Sequence, residues 1–226
     1  MLITGASTGI GAATARQAVA AGWRVALAAR SEDKLADLVR ELGEQTALAH
    51  RCDVTEFADQ EAFVAAALER FGRIDAAFAN AGFGAARGFL KEDPEQWRQM
   101  VLTNVLGVAY TIRAVMPHFK ERRAGHFLLT SSVAGRRSLP GSLYSATKWA
   151  VTGMGESLRQ ELRKDEGLQV RVTLIEPGMV DTPFFDNRPT GALEADDIAR
   201  IVMFAVEQPA HVDVNEVLVR PTSQSS

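Results

Sequence analysis

The fold is decided by residues 4–11, Thr4-Gly5-Ala6-Ser7-Thr8-Gly9-Ile10-Gly11, which follow a short apolar run and open an amphipathic segment. Three glycines in this spacing let the backbone turn tightly, approach a diphosphate closely and pack the next helix against a sheet. The N-terminus of such a helix directs its free N–H groups toward an anion. A glycine cluster also occurs in ordinary tight turns, so the rest of the chain has to supply the context.

Short apolar runs alternate with amphipathic stretches along the chain, which is typical of a parallel sheet with helices on both faces. The expected strands are Leu2–Thr4, Arg24–Ala29, Ala47–Cys52, Ile74–Ala79, His126–Thr130, Val170–Ile175 and Glu216–Val219. The expected helices are Gly11–Ala21, Glu32–Leu42, Glu56–Phe71, Glu95–Lys120, Ser142–Lys164 and Asp196–Glu207. The sequence therefore predicts an α/β fold, a doubly wound parallel sheet (Rossmann fold) of about seven strands.

Length and composition fit one soluble domain spanning residues 1–226, with 46% hydrophobic and 23% charged residues. The net charge of -3 gives no basic surface, so neither nucleic acid nor a membrane is expected as a partner. No signal peptide is apparent, and no apolar run approaches the ~20 residues of a membrane helix. Because Cys52 is the only cysteine, a cytoplasmic location is expected. The four histidines lack metal-ligand spacing, so no metal site is expected.

Three motifs resemble, in order, those of the short-chain dehydrogenase/reductase family. Glycines at 5, 9 and 11 match its Thr-Gly-x-x-x-Gly-x-Gly signature, Asp53-Val54 resembles the pair that brackets adenine, and Asn80-Ala81-Gly82 resembles the turn beneath the cofactor. The resemblance implies a nicotinamide dinucleotide cofactor. It assigns cofactor contacts to Gly5, Ser7, Thr8, Gly9, Ile10, Asp53, Val54, Asn80, Ala81 and Gly82.

The end of the second strand bears on which dinucleotide is bound. NAD-preferring sites place a carboxylate there, which bonds the ribose 2′-hydroxyl and repels a 2′-phosphate. This chain has Ala29 at that position and Arg30 next, and a guanidinium binds phosphate well. NADP is therefore the expected cofactor, with NAD as the second choice and a solvated strand cap as the alternative role for Arg30.

The segment Tyr144-Ser145-Ala146-Thr147-Lys148 carries the chemistry. Tyrosine and lysine four residues apart share one face of a helix. Proton transfer to a carbonyl oxygen at neutral pH requires an acid with a pKa near ambient, whereas free tyrosine titrates near 10. An ammonium about 4 Å away contributes on the order of 4 kcal/mol at an effective dielectric of 20. We therefore expect Lys148, helped by a positive nicotinamide ring, to lower the pKa of Tyr144, and both side chains to contact the cofactor.

The fifth strand ends in Thr130-Ser131-Ser132-Val133-Ala134-Gly135, which resembles the active-site serine segment of the family. The motif assigns the catalytic serine to Ser132, whose hydroxyl would bond the reacting oxygen. Spacing leaves Ser131 as an alternative, because it lies thirteen residues before Tyr144 and Ser132 lies twelve. We favour Ser132, with one residue deleted from Arg136–Leu143.

Two further segments complete the resemblance. Asn104 looks like the family asparagine whose backbone carbonyl holds a water that relays protons to the lysine, with a packing asparagine as the alternative. Pro177-Gly178-Met179-Val180-Asp181-Thr182 resembles the segment that fixes the nicotinamide carboxamide, with Pro177, Gly178, Val180 and Thr182 as contacts.

The resemblance implies an NADP(H)-dependent enzyme that reduces a carbonyl or oxidises a secondary alcohol by hydride transfer, with Tyr144 as general acid and base. It also implies a homodimer or homotetramer. Residues 183–194 form a short substrate loop, which favours an open pocket for a small-molecule substrate. The expected lining is Phe83, Arg136, Leu139, Met179, Phe184 and Phe185. The ending Val214–Thr222 resembles the branch that acts on serine and 3-hydroxy acids.

Two other classes of protein are less consistent with these motifs. A nucleotide-binding sensor without chemistry typically loses the tyrosine or the lysine, and both are present. Sugar epimerases and dehydratases carry a larger C-terminal substrate domain, whereas the last expected strand ends at residue 219.

Overall fold

The computed structural model describes residues 1–84, 86–185 and 189–224. Its strands are β1 (Leu2–Thr4), β2 (Val25–Ala29), β3 (Ala47–Arg51), β4 (Ala77–Ala79), β5 (Ala124–Thr130), β6 (Gln169–Pro177), β7 (Val180–Asp181), β8 (Leu193–Glu194) and β9 (Glu216–Val219). Its α-helices are α1 (Gly9–Ala20), α2 (Glu32–Leu42), α3 (Phe57–Phe71), α4 (Pro94–Val101), α5 (Gly107–Arg122), α6 (Leu143–Leu162) and α7 (Ala195–Val206).

Seven of these strands form one parallel sheet in the order β3-β2-β1-β4-β5-β6-β9. This confirms the predicted doubly wound fold. The strand order reverses between β1 and β4, and ligands of such sheets bind where the carboxyl ends of the strands meet that switch point. The glycine turn follows β1 and the Asn80 turn follows β4, so both motifs lie at this crevice.

The sheet is covered on both faces, as its uninterrupted apolar strands require. One layer packs α3, α5 and α6 on the sheet through residues such as Phe63, Phe119 and Val151. The other layer packs α1, α2 and α7 through residues such as Leu38 and Ile198. Burial on both faces holds the strand ends, and therefore the loops of the crevice, in fixed positions.

The expected helix Glu95–Lys120 is present but is not uniform. A five-residue π-helical turn, Leu102–Leu106, joins α4 to α5, and a π turn inserts one residue into the regular helical hydrogen-bond ladder. By length and composition alone the run Pro94–Arg122 is able to cross a membrane, which the sequence analysis overlooked. In the fold, α5 buries Val115 and Phe119 in the layer against the sheet, as a core helix does.

Candidate active site

A cleft of about 1040 Å³ opens at the carboxyl ends of the strands. Its volume is close to the upper end of the range for cofactor and small-molecule pockets, roughly 300 to 1,000 Å³. Every predicted site residue except Asn104 lines it: Gly5, Ser7, Thr8, Gly9, Ile10, Arg30, Asp53, Val54, Asn80, Ala81, Gly82, Ser132, Tyr144, Lys148, Pro177, Gly178, Val180 and Thr182. The fold thus brings together residues from six separate strand ends.

The glycine turn leaves room that side chains would fill. Gly9 opens α1 with φ +54°, and a Cβ there would lie 3.1 Å from the Thr182 methyl carbon. A Cβ on Gly11 would overlap the carbonyl oxygen of Gly5. The turn therefore presents bare backbone and the N-terminus of α1 to the cleft, which suits a diphosphate.

Asn80 joins three strand ends. Its side-chain Nδ2 donates to the carbonyls of Thr4 (3.2 Å) and Gly5 (3.4 Å), and its Oδ1 accepts from the Thr130 hydroxyl at 3.3 Å. The backbone N–H groups of Asn80 and Ala81 both donate to the Thr4 hydroxyl. This residue shapes the floor of the cleft by holding β1, β4 and β5 in register at their ends.

At the far end of the cleft, Arg30 lies exposed after β2. Among the described residues its guanidinium has no hydrogen-bond or ion-pair partner. Asp53 is held by a local turn, since its Oδ1 accepts from the Thr55 N–H (3.0 Å) and hydroxyl (2.8 Å). Arg30 is therefore available to an anionic ligand, whereas one oxygen of Asp53 is already engaged.

Tyr144, Ser132 and Lys148 meet in the middle of the cleft. The Ser132 hydroxyl lies beside the Tyr144 phenol and donates to the Pro177 carbonyl at 3.2 Å. The Lys148 Nζ lies 5.5 Å from the centre of the Tyr144 ring and donates to the Thr130 carbonyl at 2.8 Å. Helix α6 supplies the tyrosine and the lysine one turn apart on the same face, as their spacing predicts.

In the chain without a cofactor, Lys148 does not lower the phenol pKa, and the predicted combined effect of Lys148 and a nicotinamide ring stays a prediction. Burial raises the pKa of Tyr144 to about 12, and the hydrogen bond from Ser132 opposes this only in part. Burial also lowers the pKa of Lys148 to about 8. Desolvation outweighs the attraction of the ammonium, because the amine turns toward the Thr130 carbonyl. At neutral pH the phenol is protonated and the amine is still mostly charged.

The two serines face in different directions. The Ser131 hydroxyl contacts α6, where it donates to the Lys148 carbonyl (3.0 Å) and bonds the Thr152 hydroxyl (2.8 Å). The Ser132 hydroxyl contacts the phenol and accepts from the Ala134 N–H at 3.1 Å. Only Ser132 of the two therefore presents its hydroxyl beside Tyr144.

Asn104 lies in the π turn with no exposed surface. Its amide is satisfied by Phe83, accepting from the N–H at 3.0 Å and donating to the carbonyl at 2.9 Å, and by the Thr147 hydroxyl at 3.1 Å. Thr147 in turn donates to the Tyr144 carbonyl at 2.7 Å. The side chain thus packs α5 against the first turn of α6, and the predicted water-relay role of its backbone carbonyl stays a prediction.

The substrate half of the cleft combines apolar and polar side chains. Of the expected lining residues, Phe83, Leu139, Met179, Phe184 and Phe185 are present. Arg136 was wrongly included, because its guanidinium turns away to pair with Glu176 (2.7 Å) and Glu216 (2.5 Å). Residues 186–188 of the short substrate loop lie outside the described part of the chain.

The lining also includes polar residues that were not predicted from the sequence, among them Arg87, Arg137, Ser223 and Gln224. Gln224 accepts from the Met179 N–H at 2.9 Å and so brings the C-terminal segment to the cleft. No local motif marks that segment. The sequence Arg136-Arg137 indicates that an arginine lies near this loop. Which of the two lines the cleft depends on the conformation of the turn that precedes them.

Comparison with known proteins agrees with this geometry, since the model of the short chain dehydrogenase family matches residues 1–192. The chain belongs to the short-chain dehydrogenase/reductase family. An uncharacterised oxidoreductase of Listeria monocytogenes is 39% identical over 99% of this chain and 96% of its own length. As members of this family, these chains are NAD(P)-dependent oxidoreductases.

Solved structures of the same family superpose closely. An alcohol dehydrogenase of the archaeon Thermococcus sibiricus, complexed with 5-hydroxy-NADP, has a TM-score of 0.91 at 32% identity and covers 100% of this chain and 97% of its own. The serine dehydrogenase of Escherichia coli has a TM-score of 0.89 at 32% identity and covers 100% and 99%. Other similar members are complexed with NADP, NAD or NADH, so the family alone does not choose between them.

Proposed function

We propose that this chain is an NADP(H)-dependent enzyme that reduces a carbonyl, or oxidises the corresponding secondary alcohol, with Tyr144 as general acid and base. The observation that carries the proposal is the convergence of Tyr144, Ser132 and Lys148 in the cleft. A substrate oxygen beside the phenol and the Ser132 hydroxyl would receive two hydrogen bonds. Charge that develops on that oxygen during reduction is stabilised by both.

The residues of the cleft fit a nicotinamide dinucleotide. The bare glycine turn would hold the diphosphate, Asp53 and Val54 the adenine end, and Val180 and Thr182 the nicotinamide end. When bound, this cofactor supplies or accepts the hydride. Lys148, beside the Gly82 turn and the phenol, would bind the ribose near the reacting centre.

The protonation state of the phenol in the chain itself suits the acid role of Tyr144 in reduction. With its pKa raised to about 12, the phenol keeps its proton at neutral pH and acts as an acid toward a carbonyl oxygen. The Ser132 hydroxyl beside the phenol favours the phenolate that forms after transfer. Oxidation requires the reverse transfer and therefore a lower phenol pKa in the complex.

The decisive experiment replaces Tyr144 by Phe, which keeps the ring and removes the proton. We expect kcat for NADPH-dependent carbonyl reduction to fall by at least about a thousandfold, while NADPH binding, followed by its fluorescence, stays within about threefold. The other tyrosine offers a matched control, because Tyr110→Phe removes a hydroxyl outside the cleft. Turnover by Tyr144→Phe at the wild-type rate would defeat the proposal.

The preference for NADP rests on Arg30, whose guanidinium is unpartnered among the described residues at the ribose end of the cleft. Arg30→Ala is expected to weaken NADPH binding by about ten- to a hundredfold, the value of a charge-assisted hydrogen bond or two, and NADH binding by less than threefold. Both dissociation constants are measured by fluorescence titration. Equal losses for the two cofactors would refute a 2′-phosphate role for Arg30.

The remaining features of the proposal have separate supports: the single cysteine for the location, the composition for the single domain, and the family resemblance for the assembly. We propose a cytoplasmic homodimer or homotetramer, formed by one domain spanning residues 1–226, that acts on a small-molecule substrate. Size-exclusion chromatography with light scattering measures the assembly directly.

A further inference from the structure

The three arginines that line the cleft differ from the other arginines of the chain. Arg30, Arg87 and Arg137 have no hydrogen-bond or ion-pair partner for their guanidinium groups among the described residues. Of the sixteen other described arginines, thirteen donate from the side chain to a protein acceptor. The chain therefore pairs most of its guanidinium groups and leaves those of the cleft free for a ligand.

Arg87 and Arg137 lie at the substrate end, on two loops that touch. The Gly88 N–H donates to the Gly141 carbonyl at 2.8 Å, which joins the loop after β4 to the loop after β5. The Arg137 N–H donates to the Val133 carbonyl at 2.9 Å, so Arg137 closes the turn that begins at Ser132. Both arginines are thus fixed to the loops that flank the reacting centre.

No carboxylate offsets these charges in the described lining of the cleft except Asp53, which lies at the adenine end. Arg136, by contrast, is paired with Glu176 and Glu216 beneath the same loop. The Glu92 carboxylate, on the same loop as Arg87, accepts from the Ala86 N–H. Neither guanidinium at the substrate end forms an ion pair within the described part of the chain. A positively charged cleft of this kind attracts an anionic ligand.

The reacting centre is buried, whereas the two arginines are exposed. Lys148 and Ser132 are buried, whereas Arg87 and Arg137 are exposed at the mouth. The lining of the cleft also includes Phe83, Leu139 and Phe184, and the Phe184 ring contacts the Tyr144 ring with centroids 5.5 Å apart. Apolar surface is therefore available beside the phenol for the body of a ligand whose charged end reaches the exposed arginines.

We propose that Arg87 and Arg137 bind an anionic group on the substrate, at the opposite end of an apolar body from the carbonyl. The substrates would then be carbonyl compounds, or their alcohols, with a distal carboxylate or phosphate. Guanidinium groups bind either oxyanion with two parallel hydrogen bonds. This inference rests on the function proposed above, and the anionic group takes no part in the hydride and proton transfers.

The test compares aldehydes that differ only in charge: 4-carboxybenzaldehyde against methyl 4-formylbenzoate, and 4-formylphenyl phosphate against 4-methoxybenzaldehyde. For the wild type we expect kcat/KM to favour at least one anionic aldehyde by about tenfold or more. Which anion is favoured identifies the group. Glyoxylate, an oxo acid without an apolar body, is expected to be a poor substrate.

Charge-removing variants assign the preference to these residues. Arg87→Gln and Arg137→Gln should each reduce the ratio of kcat/KM for the anionic aldehyde to that for its neutral counterpart, and the double variant should bring this ratio to within about twofold of unity. Arg137→Lys should keep more of the preference than Arg137→Gln. Arg113→Gln removes an exposed, equally unpartnered arginine outside the cleft and should leave the preference unchanged. A preference that survives in the double variant, or one that Arg113→Gln also abolishes, would overturn the inference.

Binding separates this inference from the proposed function. The same aldehydes are titrated calorimetrically into Tyr144→Phe protein saturated with NADPH, where no turnover is expected. Tighter binding of an anionic aldehyde, lost in the double arginine variant, supports the inference even if the wild type fails to reduce it. Equal binding of acid and ester overturns it, even if both are reduced.

Discussion

At the scale of the residue, the two adjacent serines show how one position along a strand changes a side chain's role. Successive side chains of an extended strand point to opposite sides, so at the end of β5 the hydroxyl of Ser131 points into α6 and that of Ser132 toward the phenol. The motif favoured Ser132 and the spacing favoured Ser131. The contacts of the phenol support Ser132.

This difference leads to different expectations for kcat in two alanine variants. Ser132→Ala should lower kcat by about a hundredfold or more, because it removes a donor to the reacting oxygen, and should lower the free energy of unfolding by about 1 to 2 kcal/mol, because its hydroxyl also makes two buried hydrogen bonds. Ser131→Ala should lower the free energy of unfolding by about 1 to 2 kcal/mol, because it removes two buried hydrogen bonds, and should change kcat much less. Steady-state kinetics and urea unfolding separate the two effects. The reverse pattern would make Ser131 the catalytic serine.

Most of the site was predictable because most of its motifs stand directly after a strand, and parallel strands end at one edge of the sheet. The Tyr144–Lys148 pair followed from helical spacing alone. The pKa of Tyr144 was not predictable, because it depends on burial and on the direction of the Lys148 amine, which turns to the Thr130 carbonyl. Arg87 and Arg137 were missed for a similar reason. Whether an arginine has a carboxylate partner depends on the folded structure, and the sequence alone does not show it.

At the scale of the element, the π turn Leu102–Leu106 is the feature that helical periodicity concealed. The residue after this turn is Gly107, and the Gln60 side chain on α3 binds it. Gln60 Nε2 donates to the Gly107 carbonyl at 2.8 Å and to the Val54 carbonyl at 2.9 Å. Its Oε1 accepts from the Thr111 hydroxyl at 2.7 Å. A buried glutamine in an amphipathic helix looks like a misplaced polar residue in sequence, but here it joins α3 and α5 to the loop after β3.

Replacing Gln60 by Leu keeps the side-chain volume and removes these three hydrogen bonds. We expect the free energy of unfolding to fall by about 2 to 3 kcal/mol, because the Val54 carbonyl is left buried without its donor. Gln160→Leu is the matched control, since Gln160 is exposed and its side chain donates to Glu156 on its own helix. Urea unfolding of both variants measures the effect. A loss below about 0.5 kcal/mol for Gln60→Leu would show that the π turn does not depend on this side chain.

At the scale of the whole molecule, the sheet contains a buried histidine that responds to pH. His126 on β5 is 2% exposed, and its Nε2 lies 2.7 Å from the Thr173 hydroxyl oxygen. Thr173 donates its only hydroxyl hydrogen to the Val214 carbonyl, so His126 Nε2 has to be the donor in their bond. His126 Nδ1 has no hydrogen-bond partner in the described chain, and the nearby Arg171 repels a positive ring. The folded molecule therefore holds this histidine neutral.

Burial lowers the pKa of His126 from 6.5 to about 3, so between these values the unfolded chain binds one more proton than the folded chain. The free energy of unfolding is then highest above pH 6.5 and falls as the pH drops toward 3, by about 2 kcal/mol between pH 6.5 and 5. His126→Gln keeps a donor for Thr173 and should flatten this part of the profile, whereas His211→Gln, at an exposed position, should follow the wild type. Urea unfolding at pH 5, 6 and 7.5 measures the three profiles. If His126→Gln loses as much stability as the wild type on acidification, another group carries the acid sensitivity of the fold.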